Sequence, residues 1–166
     1  MVVCLSVLVL TALGTPGAKT IQRTFAYMKE RTLQDFPLHA ADKIRYSDTD
    51  RQGHVNNAVF ATFLETGRVN IIYNPDFPIL AAGASFVIAS LQLNFLREIN
   101  WPGQVDIGTG ITKVGNSSIR LSQHNFQNAQ CVATSESVIV QISDETGSSL
   151  ALTAEAREVL GKWVVD

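Results

Sequence analysis

The sequence has little of what disulfide frameworks, metal centres or nucleic-acid surfaces require. Its two cysteines, Cys4 and Cys131, are too few and too far apart for a disulfide framework, and its three histidines are scattered along the chain. Lys and Arg number 13 against 15 Asp and Glu, with no basic cluster. We therefore expect no metal site, no cofactor and no nucleic-acid partner.

Long apolar runs are also lacking. The longest, Val2–Leu13, is well short of the about 20 residues that a membrane-spanning helix needs. It resembles the apolar part of a secretory signal, but the first lysine, Lys19, comes after it rather than before it. Three interpretations stay open: a secretory signal, a true translation start at Met28, or an element that packs on the domain. We predict a separate segment 1–27, a single domain 28–166 and a cytoplasmic protein, with secretion as the alternative.

What the sequence does contain is apolar residues in regular patterns. The chain has 166 residues, of which 46% are hydrophobic, enough for one domain with a real core. From Asn57 to about Ile72 the apolar spacing predicts a helix, and Asn56 or Asn57 is a suitable N-cap. The stripe of this helix comprises Phe60, Phe63, Leu64, Gly67 and Ile71.

The remainder alternates apolar and polar residues as strands do. A short strand is expected around HAADKIRYSD, with Ile44 and Tyr46 on one face. Further strands are expected over Ser85–Ile99, Gln104–Val114, IRLSQHNFQ and CVATSESVIVQIS, before a short C-terminal helix capped by Thr153. One long helix and a run of antiparallel strands make an α+β fold. A single helix covers only one face of such a sheet, so we expect a dimer at least.

The polar loop YSDTDRQGHVNN lies directly ahead of the long helix. It continues into DTDRQGHVNNAVFATFLETGR (Asp48–Arg68), which resembles the signature of the hotdog-fold acyl-CoA thioesterases, in the branch of hydroxybenzoyl-CoA thioesterase. The shared pattern is an acid, two variable residues, Gly, His-Val-Asn-Asn, and then a helix with Glu and Arg near its end. The resemblance extends over Leu38–Trp163. It implies a hotdog fold, in which a five- or six-stranded antiparallel sheet wraps the long central helix.

The resemblance also implies roles for individual residues. It places the catalytic carboxylate at Asp50, as nucleophile or as base for water, and the oxyanion donor at the backbone N–H of Asn57. His54 is a candidate for orienting the water or the carboxylate. The residues expected to line the substrate site are Gly53, Val55, Asn56, Phe60, Ser117 and Ser118. Active sites are expected at the interface of a homodimer or homotetramer.

Ordinary structural explanations exist for the same residues. Asp48 and Asp50 can form turns, and we expect this of Asp48; Asn56 and Asn57 can cap the helix. Phe60 fits the core, and Ser117 and Ser118 fit a plain hairpin turn. Glu65 and Arg68 are expected to form an exposed or interfacial pair, and Glu65 is a fallback catalytic carboxylate.

The predicted activity is therefore hydrolysis of acyl-CoA to a carboxylic acid and CoA, without metal or cofactor. One alternative is a hydratase or dehydratase acting on acyl thioesters, whose local pattern of an acid followed by Asn and Pro differs from DTDRQGH. A second alternative is a non-catalytic module that binds acyl thioesters.

Overall fold

The computed structural model describes residues 31–165 of the chain. The predictions for the apolar segment 1–27 and for a start at Met28 lie outside the described residues. Within residues 31–165 no helix is both long and apolar enough to cross a membrane.

A five-stranded antiparallel sheet and a long helix form the domain, and this is the hotdog fold. The strands are β1 (Leu38–Lys43), β2 (Ala84–Phe95), β3 (Gln104–Val114), β4 (Ser118–Gln127) and β5 (Gln130–Ser143). The helices are α1 (Asn57–Ile72) and α2 (Ala154–Gly161), and short 3-10 turns cover Leu33–Asp35 and Tyr46–Asp48. The strand order is β1-β3-β4-β5-β2, so β1 and β2 form the two edges.

Helix α1 begins and ends where the sequence predicts. Asn56 is its N-cap, with the side-chain oxygen accepting the backbone N–H of Ala58 at 2.9 Å. All five residues of the predicted apolar stripe are buried. Gly67 is required by packing, because a Cβ there would lie only 2.8 Å from Ile107 and Gln123 on the sheet. The missing side chain therefore lets the helix lie directly on the strands.

Three local predictions were wrong. Tyr46 is 75% exposed in a 3-10 turn rather than on a strand with buried Ile44. The strand predicted over Ser85–Ile99 ends at Phe95, because Leu96 and Arg97 both donate their backbone N–H to one carbonyl of β5 and break the ladder.

Arg68 is the third correction. It is buried rather than exposed, and its Nη1 donates to Oε1 of Gln123 at 3.2 Å. Burial lowers the pKa of this guanidinium, and the negative charge of Glu65 acts in the opposite direction. The helix turn that buries Leu64 and Gly67 carries Arg68 beneath the surface with them.

One of the two apolar clusters of the core lies beneath the polar loop that precedes α1. It contains Val55 from the end of the loop, Phe60 and Phe63 from α1, and Ile99 from the segment after β2. Ile99 is completely buried and Val55 is 3% exposed. Val55 thus anchors the end of the loop to the core.

Candidate active site

The loop before α1 is a tight hairpin. Thr49 and Val55 form an antiparallel bridge, and the next pair, Asp50 and His54, is joined by an N–H···O bond of 2.8 Å. The turn is closed by the N–H of Gly53, which donates to the carbonyl of Asp50 at 3.1 Å. Gly53 has φ +89°, a conformation that favours glycine. Opposite residues of an antiparallel pair direct their side chains to the same face, so Asp50 and His54 are side-chain neighbours.

A third segment extends this hairpin into a small ribbon. The N–H of Val55 donates to the carbonyl of Ile99 at 2.8 Å, and His54 bridges to Asn100. Asn100 is held in turn by Gln127, which accepts its N–H at 3.0 Å and donates to its carbonyl at 2.7 Å. Because the side chains of Val55 and Ile99 face the core, the side chains of the residues next to them in sequence face outward.

The two acids of the loop have different environments. Asp48 is buried; its carboxylate accepts the N–H of Arg45 at 2.7 Å and its carbonyl accepts the N–H of Asn56 at 2.8 Å. Asp48 therefore holds the loop in shape. Asp50 is exposed, and within residues 31–165 its carboxylate accepts one hydrogen bond, from the N–H of Gln52 at 2.7 Å. Most of its acceptor capacity is open for other partners.

The start of α1 offers a backbone donor for a ligand. The N–H of Ala58 is taken by the side chain of Asn56, and the N–H of Val59 by the carbonyl of Asn56 at 2.9 Å. The N–H of Asn57 has no acceptor in the described part of the chain. First-turn N–H groups lie at the positive end of the helix dipole. An oxygen that gains negative charge is stabilised at such a donor.

Glu98 joins the site although no pattern in the sequence singled it out. Its Oε2 lies 3.1 Å from Nε2 of His54, and the two side chains are 51% and 32% exposed. Glu98 belongs to the segment between β2 and β3, far from the loop in sequence. The loop sequence alone does not point to it, because the two segments come together only in the fold, through the pairing of His54 with Asn100 and the bond from Val55 to Ile99.

Two predicted substrate residues have side chains in or near the core. Val55 is buried in the apolar cluster beneath the loop, so only its backbone faces the site. Phe60 is 2% exposed and packs edge-to-face on Phe95 of β2, with ring centres 5.1 Å apart. Phe95 lies on an edge strand and is half exposed. Through Phe95, Phe60 is therefore close to the exposed edge of the sheet.

Ser117 and Ser118 are not brought to the loop within one chain. They lie at the β3–β4 hairpin, whereas the loop contacts the residues just before Gln104, where β3 begins. The 11 residues of β3 separate these ends by roughly 35 Å at the usual rise per strand residue. Their assignment to the substrate site therefore stays a prediction that requires a second chain.

A cavity of about 390 Å³ lies at the other end of α1, between the helix and β1. Its lining includes Gly67, Ile71 and Thr109. A hydrogen bond of 2.9 Å from Thr66 to Asp42 ties the helix to β1 on the side nearer the loop. Neither Asp50 nor Asn57 lines this cavity.

Comparison with known proteins identifies relatives of this arrangement. The sequence model of the thioesterase-like superfamily matches residues 44–164. The long-chain acyl-CoA thioesterase FadM of Escherichia coli (strain K12) is 31% identical over 126 residues, covering 74% of this chain and 96% of FadM. The uncharacterized protein YsmA of Bacillus subtilis (strain 168) is 29% identical over 119 residues, covering 70% of this chain and 80% of YsmA.

A solved structure agrees with these sequence matches. A thioesterase of Thermus thermophilus, crystallised with coenzyme A and zinc, superposes with a TM-score of 0.67 at 27% identity. The match covers 78% of this chain and 96% of that one.

Proposed function

The chain belongs to the thioesterase-like superfamily, and we propose on this basis that it hydrolyses acyl-CoA to a carboxylic acid and CoA. The relative FadM is a long-chain acyl-CoA thioesterase, and a structural neighbour was crystallised with coenzyme A. Both support CoA thioesters as the substrate class.

The mechanism assigns the carboxylate of Asp50 and the N–H of Asn57 to the two ends of the thioester carbonyl. Asp50 either attacks the carbonyl carbon or removes a proton from the attacking water. The N–H of Asn57 stabilises the carbonyl oxygen as it becomes negative, a contribution of roughly 3–4 kcal/mol in comparable sites. The C–S bond then breaks and CoA leaves as a thiolate.

One observation carries the proposal: an exposed carboxylate and an available first-turn N–H lie within a single rigid hairpin-to-helix segment. Asp48 and Asn56 fix that segment through the 2.8 Å bond between their backbones. The cap on Asn56 satisfies Ala58 and leaves the N–H of Asn57 without an acceptor in residues 31–165.

The site is proposed to be completed by a second copy of the chain. Strand β2 is an edge of 12 residues, and it exposes Val87, Ile88, Leu91 and Phe95. Unpaired backbone groups beside exposed apolar side chains make such an edge a template for pairing. We expect homodimers, which can associate further into tetramers, with β2 pairing antiparallel to its copy.

Antiparallel pairing would also explain the place of Ser117 and Ser118. The Phe95 end of β2 lies by α1, and the Ala84 end lies by the hairpin, where Gln141 donates its N–H to the carbonyl of Ser117. A two-fold axis across β2 reverses these ends in the second copy. The hairpin of one protomer would then approach the loop of the other.

A thiol-release assay tests the proposal. Purified protein is incubated with short, long and aromatic acyl-CoAs, and free CoA is followed with a thiol-reactive dye. We expect release for at least one class and its loss in Asp50→Asn. Asp76→Asn is the matched control, because Asp76 is an exposed aspartate beyond the other end of α1. Binding of acyl-CoA without thiol release would indicate the binding module instead.

A further inference from the structure

We propose that Glu98 is a positioning residue that fixes the imidazole of His54 beside Asp50, so that His54 orients the water attacking the acyl carbonyl. This inference rests on the proposed function and adds a residue and a role to it. It concerns the outward face of the ribbon formed by the loop hairpin and the segment after β2.

The alternation of the ribbon places three titratable side chains in one row. Asp50 and His54 are directly opposite each other in the hairpin. His54 is opposite Asn100, and Glu98 lies two residues from Asn100, which puts it diagonally across from His54 on the same face. The row is therefore carboxylate, imidazole, carboxylate.

The contact between His54 and Glu98 is the shortest acid–base side-chain contact within residues 31–165. It measures 3.1 Å, whereas the other three pairs measure 3.7 to 4.0 Å. Both partners stand on backbone that is held in place: Val55 is bonded to Ile99, and Asn100 is bonded twice to Gln127. Exposed ion pairs usually contribute little because two long side chains must be ordered. Here the hydrogen-bonded backbone already restricts the positions of both side chains.

A carboxylate at Nε2 determines what the other ring nitrogen does. When Nε2–H donates to Glu98, the neutral imidazole carries its lone pair on Nδ1. Nδ1 can then accept a hydrogen bond from a water held beside Asp50. The neighbouring Arg97 contacts a different group, since its Nη1 donates to the carbonyl of Cys131 at 2.7 Å.

The step balances with His54 taking no net proton. The water oxygen forms the new bond to the acyl carbon, and one water proton passes to the Asp50 carboxylate. Nδ1 holds the second hydrogen by a hydrogen bond, the C–S bond breaks with its electron pair on sulfur, and Asp50 returns its proton to the thiolate. If Asp50 is instead the nucleophile, its carboxylate displaces the CoA thiolate and the same water then attacks the acyl carbon of the acyl-aspartyl anhydride. The acyl C–O bond breaks to free the Asp50 carboxylate, and one water proton passes to the CoA thiolate.

Steady-state kinetics of Glu98→Ala, His54→Ala and the double variant test this role, with the acyl-CoA that the wild type hydrolyses best. We expect each single variant to lower kcat by about 10-fold, with KM within about 2-fold, because misplacing a positioned group affects the reaction more than binding. The double variant should be no slower than His54→Ala, since the two residues act as a unit. Glu98→Gln, which keeps an acceptor at Nε2, should recover most of the loss.

Glu136→Gln is the control, because Glu136 is an exposed acid paired with Arg120 at 3.7 Å on the sheet. It should leave kcat unchanged. Wild-type kcat in Glu98→Ala, or additive losses in the double variant, would overturn the inference while Asp50→Asn still abolished activity and upheld the function.

A spectroscopic measurement distinguishes failure of the role proposed for Glu98 from failure of the proposed thioesterase function. Long-range ¹H–¹⁵N spectra of neutral His54 should show the Nε2–H tautomer in the wild type and a tautomer mixture in Glu98→Ala. An unchanged tautomer would overturn the role of Glu98, whatever the activity. Absence of thiol release from any acyl-CoA with the tautomer as expected would instead mean that the proposed function is wrong, and the catalytic role with it.

Discussion

The backbone N–H of Asp50 donates to the carbonyl oxygen of His54 at 2.8 Å. This bond makes the two residues opposite members of a hairpin whose next pair is Thr49 and Val55. The hairpin runs directly into the N-cap of α1, so the acid, the imidazole and the helix start form one rigid unit. The proposed chemistry uses this unit and not any single residue in it.

Replacement of Asn57 by proline removes the proposed oxyanion donor and little else. Proline is favoured at the first helical position, and Asn56 has φ −59° and ψ 138°, which suits a residue before proline. The N–H of Asn57 has no acceptor in residues 31–165, so no bond in that range is lost. We expect Asn57→Pro to lower kcat about 100-fold or more.

Asn57→Ala is the control for this experiment, because it keeps the backbone N–H and removes the side chain. It should retain activity close to that of the wild type, and circular dichroism should show both variants folded. Full activity in Asn57→Pro would exclude this N–H from catalysis.

The cap on Asn56 gives a prediction about stability. Asn56→Ala removes the acceptor for the N–H of Ala58 and should lower the free energy of unfolding by about 1 kcal/mol. Asn56→Asp keeps a side-chain oxygen and should lose much less. Urea unfolding of the three proteins measures the difference; equal midpoints would mean that the cap does not stabilise α1.

The first turns of α1 are predicted to limit the acyl chain. Ala58 is exposed and Ala61 is half-buried, so their small side chains leave space beside the helix. Enlarging either to Phe should shift the kcat/KM optimum toward shorter acyl-CoAs. Ala154→Phe, at an exposed position of α2, should leave the profile as it is. A profile unchanged in all three variants would place the acyl pocket elsewhere.

The edge strand gives a prediction about assembly. Ile88 is 50% exposed on β2, and Ile88→Lys should place a charge in the expected dimer interface. Sedimentation should show a monomer, with thiol release falling in parallel. Tyr73→Lys changes a residue that is 64% exposed after α1 and should remain dimeric. A wild-type protein that is monomeric and fully active would contradict an active site shared between two protomers.

The approximate bounds of helix α1 could be predicted because its signals are local. Asn56 provides the cap, and the stripe from Phe60 to Ile71 provides the period. Strand β3 was predicted with its observed bounds, Gln104–Val114, for a similar reason: a clear alternation ends at a turn. Local patterns of this kind do not depend on what the rest of the chain does.

The parts that could not be predicted depend on contacts between distant segments. Glu98 reaches His54 only because Ile99 and Asn100 pair with the loop. Arg68 is buried because the sheet provides Gln123 as a partner, which its charge alone does not suggest. Asp50 itself was selected by resemblance to a family motif, since an acid in a turn is usually structural.

The most direct test of the central claim is the kcat of Asp50→Asn for thiol release from the best acyl-CoA substrate. The substitution keeps the size of the side chain and one oxygen, and removes the charge that a nucleophile or base requires. We predict that kcat falls at least about 100-fold while the protein remains folded and Asp76→Asn matches the wild type. Wild-type turnover in Asp50→Asn would contradict the catalytic assignment of the loop.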